Sequence, residues 1–245
     1  MRYFVSMSHS RQQSGPSPIL YWGTPVVLIS TENEDGTSNV SPMSSAWWLG
    51  HSCVLGLISS SKTTENILRT KQCVLNLPDD SMATHVSALT STTGSNPVPP
   101  SKPGFEFVKD KWARARLTPE ASDFVRPPRI AECPVQMECG LIEATNLWTD
   151  MPDREGMAMA IEVRVLRVHV LDRLRVEGHP NRVDPDKWRP LIMSFRQLYG
   201  LSPENKDTEN LLTRHDEERF RILTRSGVKK LPGDGDADIA AKGFV

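Results

Sequence analysis

The sequence predicts a mainly β chain: a closed or partly closed antiparallel β-barrel with peripheral helices. Three observations predict it. Short apolar runs recur at residues 21–31, 52–59, 72–77, 135–144 and 157–171. Asp35-Gly36, between two such runs, is a strong hairpin signal. No internal repeat and no regular strand–helix alternation of a doubly wound parallel sheet is present.

The 245 residues suffice for a sizeable core. They divide into a polar N-terminal arm (1–18), one domain (19–202) and a polar tail (203–245) with an amphipathic stretch at 211–223. Lys and Arg number 29 against 30 Asp and Glu, so no global charge draws the chain to nucleic acid or anionic lipid. No apolar run reaches the roughly 18 residues of a membrane span, and the N-terminus lacks a signal-peptide core. A cytoplasmic location is expected. Cys53, Cys73, Cys133 and Cys139 form no CxxC pair and sit beside apolar residues. Buried free thiols are expected, with no metal site.

Each element has a local cause. Residues 21–31 read as a core strand, and 39–49 as its Ser-rich return after the Asp-Gly turn. Residues 52–59 form another strand. Lys62-Thr63-Thr64-Glu65-Asn66-Ile67-Leu68 carries helix-start chemistry, with Ile67 and Leu68 opening an apolar face. A strand at 72–77 is closed by Pro78, and 79–89 reads as helical. Residues 91–104 hold four prolines and must be an irregular loop, of the kind that often serves as a lid. A short helix is expected at 105–116. Strands follow at 135–144 and 157–171, then a helical or mixed stretch at 184–201.

Most chemical motifs are missing: GxGxxG, the P-loop, HExxH and GxSxG do not occur. Ser59-Ser60-Ser61-Lys62 matches an SxxK pattern whose partner motifs are absent. Asp234, Asp236 and Asp238 start a calcium-loop pattern that fails at its glycine and its final glutamate. What remains is the segment from Asn39 to Ile67. Its second cluster (Ser59, Ser60, Ser61, Lys62, Thr63, Thr64) lies at a strand-to-helix junction. Free N–H groups, hydroxyls and one ammonium there suit a phosphate. Its first cluster (Ser41, Pro42, Met43, Ser44, Ser45, Ala46, Trp47) offers backbone groups and apolar surface to a flat heteroaromatic ring. The same residues also read as a Ser/Thr-rich hairpin with an ordinary helix cap.

The ordered set N-x-S-P-x-S-S-x-W, S-x-x-x-T-x-x-N-I and V-L-N-L-P, between Asn39 and Pro78, resembles the flavin reductase-like family. PRIAECPVQMECG (128–140), IEVRVLRVHV (161–170) and PLIMSFRQLYGLS (190–202) extend the resemblance to about residues 19–202. It implies a six-stranded Greek-key split barrel of FMN-binding type, a homodimer, with Trp47, Trp48 and Trp148 available as interface anchors. Ser41 to Trp47 would lie along the isoalloxazine. Ser59, Ser61, Lys62, Thr63, Thr64 and Asn66 would hold the phosphate side. His169 and Tyr199 match positions near the flavin in some relatives, His169 as the one catalytic candidate. One departure is visible. Relatives carry Arg or Lys two or three positions before the threonine; here those places are Ser60 and Ser61, and the cation is Lys62. The implied activity is an NAD(P)H:flavin reductase, with NADH or NADPH as donor and FMN passed on, for instance to a monooxygenase. The alternatives are a flavoprotein that keeps FMN to reduce an organic substrate or metal complex, and a non-catalytic electron carrier.

Overall fold

A computed structural model describes residues 20–202. The expected N-terminal arm, the polar tail and its amphipathic stretch lie outside the described residues. The chain is mainly β. Its principal elements are β1 (Trp22–Pro25), β2 (Val27–Glu32), β3 (Ser38–Met43), β4 (Ala46–Leu49), β5 (Ser52–Ile58), α1 (Lys62–Thr70) and β6 (Gln72–Leu77). Then come α2 (Ala83–Ala88), α3 (Lys111–Ala115), β7 (Val135–Asn146), β8 (Ala158–Val170), β9 (Leu191–Ser194) and β10 (Gln197–Gly200).

Seven strands form the main sheet in the order β3-β2-β6-β7-β8-β5-β4, and every pair is antiparallel. Six were expected. The seventh arises because the run 39–49 breaks at Ser44 and Ser45 into β3 and β4. Those two strands are the opposite edges of the sheet, yet only two residues separate them in the chain. The sheet must therefore curl until its edges meet.

Alternation along β2 sorts two cores. Val27 and Ile29 point inward with Leu55, Leu75, Ile161 and Val163. Val26 and Leu28 point outward, under α2 and α3, with Val86, Leu89 and Trp112. That double burial explains why β2 has no exposed face from Val27 to Thr31. All four cysteines are buried and free. Burial pushes the Cys53 thiol up to about 12.

Three expectations are corrected. The run 21–31 is two strands, because β1 leaves the main sheet to pair with β9. Only Lys111–Ala115 of 105–116 is helical, since Asp110 accepts the Ala113 N–H (2.9 Å) and caps the helix there. Upstream, Glu106–Phe107 pairs with Thr92–Thr93 instead. The stretch 184–201 holds the β9–β10 hairpin. A further short hairpin pairs Arg175–Val176 with His179–Val183.

Candidate functional site

Ser41 to Trp47 occupy the meeting point of the two sheet edges. An edge strand leaves half of its backbone N–H and C=O groups without a strand partner. Pro42, which has no N–H, sits on β3 opposite Leu28, and Ser41 sits opposite Ile29. Ser44 and Ala46 are buried, whereas Trp47 is 56% exposed. Trp48 turns inward against the core. The Ser45 carbonyl accepts the Gly56 N–H at 2.8 Å, and its hydroxyl lies 3.1 Å from the Tyr21 hydroxyl.

That bond sets the second cluster beside the first. Ser59 lies three residues beyond Gly56, roughly 10 Å at about 3.3 Å per residue. Asn39 of β3 donates to Thr63 of α1 at 3.3 Å, a second tie between the clusters. Ser61 caps α1: its hydroxyl accepts the Thr64 N–H at 3.1 Å, and the Thr64 hydroxyl donates to the Ile58 carbonyl at 2.8 Å. The Ser59 hydroxyl is buried and has no hydrogen-bond partner. Lys62 is not a free cation. Its ammonium lies 3.0 Å from Glu65 and 3.3 Å from Glu34. Although burial opposes it, those two carboxylates hold the Lys62 ammonium above its ordinary pKa.

Asn66 serves the fold. It is fully buried and donates to Thr31 (3.1 Å) and Asn33 (2.8 Å), bracing α1 against β2 and its turn. The residues 91–104 lie across the phosphate-suited cluster. Ser101 and Ser60 hydroxyls are 3.0 Å apart. A Cβ on Gly94 would stand 2.6 Å from Asn39 Oδ1 and 3.2 Å from Lys62 Cγ, so only glycine permits this approach.

His169 and Tyr199 are not brought to these clusters. Ser59 N–H donates to Met157, at the start of β8, while His169 is near its far end. Eleven residues of strand separate Ala158 from His169, on the order of 30 Å. His169 Nε2 lies 2.7 Å from Glu138, and Asp123 completes a group whose ligand-type atoms fall within 4.8 Å. Glu138 already accepts the N–H groups of Asp123, Phe124 and Val125 as well, so this group satisfies itself internally. Tyr199 is 55% exposed on β10, the outermost strand of the β1-β9-β10 sheet.

Sequence reasoning missed Lys102 and Lys111. Lys111, in a Lys-Asp-Lys run, looks like an ordinary surface residue. Only the fold shows that it is 3% exposed. Burial pulls the Lys111 ammonium down to about 8, and Lys102 nearby adds repulsion.

A family model described as "flavin reductase like domain" matches residues 21–202. The chain belongs to the flavin reductase-like family. The split-barrel architecture is the one found in this family. An uncharacterized protein, YdfE of Bacillus subtilis (strain 168), is 40% identical over 188 residues, 76% of this chain and 87% of that one. The flavoredoxin of Desulfovibrio vulgaris (Miyazaki F) superposes with a TM-score of 0.65 at 19% identity, over 82% of this chain and 99% of that one. Nitrilotriacetate monooxygenase component B from Bacillus cereus gives 0.64 at 18%, over 81% and 100%. The last two likenesses show the fold. Family membership ties the domain to flavin-dependent oxidoreduction. Among the described residues no helix is long and apolar enough to cross a membrane.

Proposed function

We propose that this chain binds flavin mononucleotide along the β3–β4 edge and acts as an NAD(P)H:flavin reductase. One observation carries the reading: two sheet edges with unpaired backbone meet at Ser44 and Ser45, beside the capped start of a nine-residue helix. The donors present fit the cofactor. Backbone groups of Ser41 to Ala46 suit the polar edge of a flat ring, and Trp47 supplies apolar surface at its rim. The Ser59 hydroxyl, left without a partner, and the hydroxyls of Ser61 and Thr63 suit a phosphate. Bound FMN supplies the hydride-accepting ring. The chain supplies position: edge amides fix the ring's orientation, the β2–α1 braces hold the turn, and the buried core beneath keeps water from one face.

Trp22 (73% exposed) and Phe195 stack edge to face at 4.6 Å, next to Tyr21 and so to Ser45. A second copy of the chain would pack on this surface. One observation favours a second reading, a flavoprotein that keeps FMN and reduces an organic substrate: the residues 91–104 lie directly over the cluster. In both readings the protein, loaded with FMN without oxygen, loses its visible flavin band when NADH or NADPH is added. Release of the reduced flavin then separates them, and light scattering of the same sample returns twice the chain mass. A band that persists with both nicotinamides would reduce the chain to a carrier.

A further inference from the structure

The loop between β7 and β8, residues 147–157, turns apolar side chains outward. Leu147, Trp148, Met151 and Met157, with Ile58 at the end of β5, are each between 36% and 49% exposed. Backbone bonds gather them at one end of the main sheet. Ala158 sits opposite Ile58 and accepts the Leu147 N–H at 2.9 Å, and the Trp148 carbonyl accepts the Met151 N–H at 2.9 Å. The Met157 N–H closes the loop on the Arg154 carbonyl at 3.0 Å. Trp148 holds φ 61°, a left-handed backbone that suits glycine and crowds a bulky side chain. The fold keeps an indole there and leaves it exposed. A contiguous exposed apolar patch of this kind marks an interaction surface.

The rim of the patch is acidic. From 141 to 163 the charged residues are Glu143, Asp150, Asp153, Arg154, Glu155 and Glu162, so carboxylates far outweigh the single guanidinium. Among the described residues, none of these six forms an ion pair. Glu143 and Glu162 face each other in register across β7 and β8. With Val54, Thr145 and Ala160 they line a cavity of about 160 Å³. Like charges directly opposite on a sheet are destabilising. A basic side chain seated between these two would relieve the repulsion. The patch therefore fits a partner that is apolar and strongly basic.

The chain itself carries such a segment. Residues 219–231, RFRILTRSGVKKL, hold Arg219, Arg221, Arg225, Lys229 and Lys230 and no carboxylate, set among Phe220, Ile222, Leu223, Val228 and Leu231. Residues 203–218 lie between it and the described fold and can span roughly 50 Å, more than the width of a domain this size. Reach does not limit where the segment docks. We propose that residues 219–231 dock on the acidic, apolar patch at 147–157 of the same chain, with a basic side chain between Glu143 and Glu162. The Met157 carbonyl accepts the Ser59 N–H at 3.0 Å, so the docked segment lies beside the Ser59 turn. This contact is independent of flavin binding.

Carbodiimide coupling, which joins a carboxylate to a lysine in contact with no spacer, tests this on the full chain. An equal mixture of ordinary and heavy-isotope-labelled chains is coupled, and peptide mass spectrometry shows which residues are joined and whether they share a chain. The expected product joins Lys229 or Lys230 to Glu143, Asp150, Asp153, Glu155 or Glu162 within one chain. Its yield falls at high salt, as for exposed charges. Combining Arg219→Gln, Arg221→Gln and Arg225→Gln leaves both lysines and the described fold intact. It lowers the yield by about threefold or more, the scale of a few surface ion pairs. Amide exchange at residues 147–157 speeds up in the same variant. Trp148→Gly, whose backbone accepts this φ freely, lowers the yield as well; should it fail to fold, the arginine variant carries the comparison. Links between chains only would assign the patch to a second copy and overturn the proposal. Lysines joined only to carboxylates elsewhere, no links at all, or a yield and exchange unchanged in the arginine variant would also overturn it.

Discussion

Glu138 carries more of this fold than its charge suggests. It is fully buried on β7 and accepts the N–H groups of Asp123 (2.9 Å), Phe124 (2.6 Å) and Val125 (3.2 Å), with His169 at 2.7 Å. A carboxylate so surrounded fixes the loop before β7 to the sheet. Glu138→Ala leaves those donors buried without an acceptor and lowers stability by about 3 kcal/mol or more, read from urea unfolding. A loss below about 1 kcal/mol would mean water replaces the carboxylate. Individual residues are also where the sequence was least legible. Asn66 and Thr64 carry the right chemistry for a phosphate, yet their hydrogen bonds go to Thr31, Asn33 and the Ile58 carbonyl. Lys62, expected as a free cation, is ion-paired to Glu34 and Glu65. Nothing in a local pattern distinguishes an ion-paired lysine from one whose stem the fold covers; only the fold brings Glu34 to Lys62 and sets Lys111 near Lys102.

At the scale of elements, apolar periodicity located β5, β6, β7 and β8 closely, because each has a face fixed by the barrel core. Breaks within strands escaped it. Pro25 ends β1, but Val26 beyond it is as buried as Val27, so apolar burial alone does not announce the change of sheet. The β9–β10 hairpin also escaped, since its two-residue turn lacks the usual Asn-Gly. Phe195 (φ 46°) and Arg196 (φ 68°) both hold left-handed backbone, the geometry of a type I′ turn. Phe195 is retained by its contact with Trp22, but Arg196 is exposed. Arg196→Gly should therefore raise stability by about 0.5–1 kcal/mol, seen as a higher melting temperature. A fall would show that the arginine side chain contributes something its exposure conceals.

The whole molecule explains why the candidate site lies where it does. A sheet whose two edges are successive in the chain needs a short crossing, and Ser44–Ser45 provides it. The crossing leaves edge backbone unpaired beside a helix start, while two cores hold β2 rigid beneath them. This arrangement was partly legible in advance. The Ser-rich run and the strand-to-helix junction were visible as separate clusters, and family resemblance joined them. The packing of residues 91–104 against the start of α1 was not, because a proline-rich segment has no periodicity from which to place it. Hydrogen exchange with and without FMN tests the central claim most directly. The account predicts slower exchange at the amides of residues 41–47 and 59–64, with the loop at 121–127 unaffected. Protection confined to other segments, or none at saturating FMN, would contradict it.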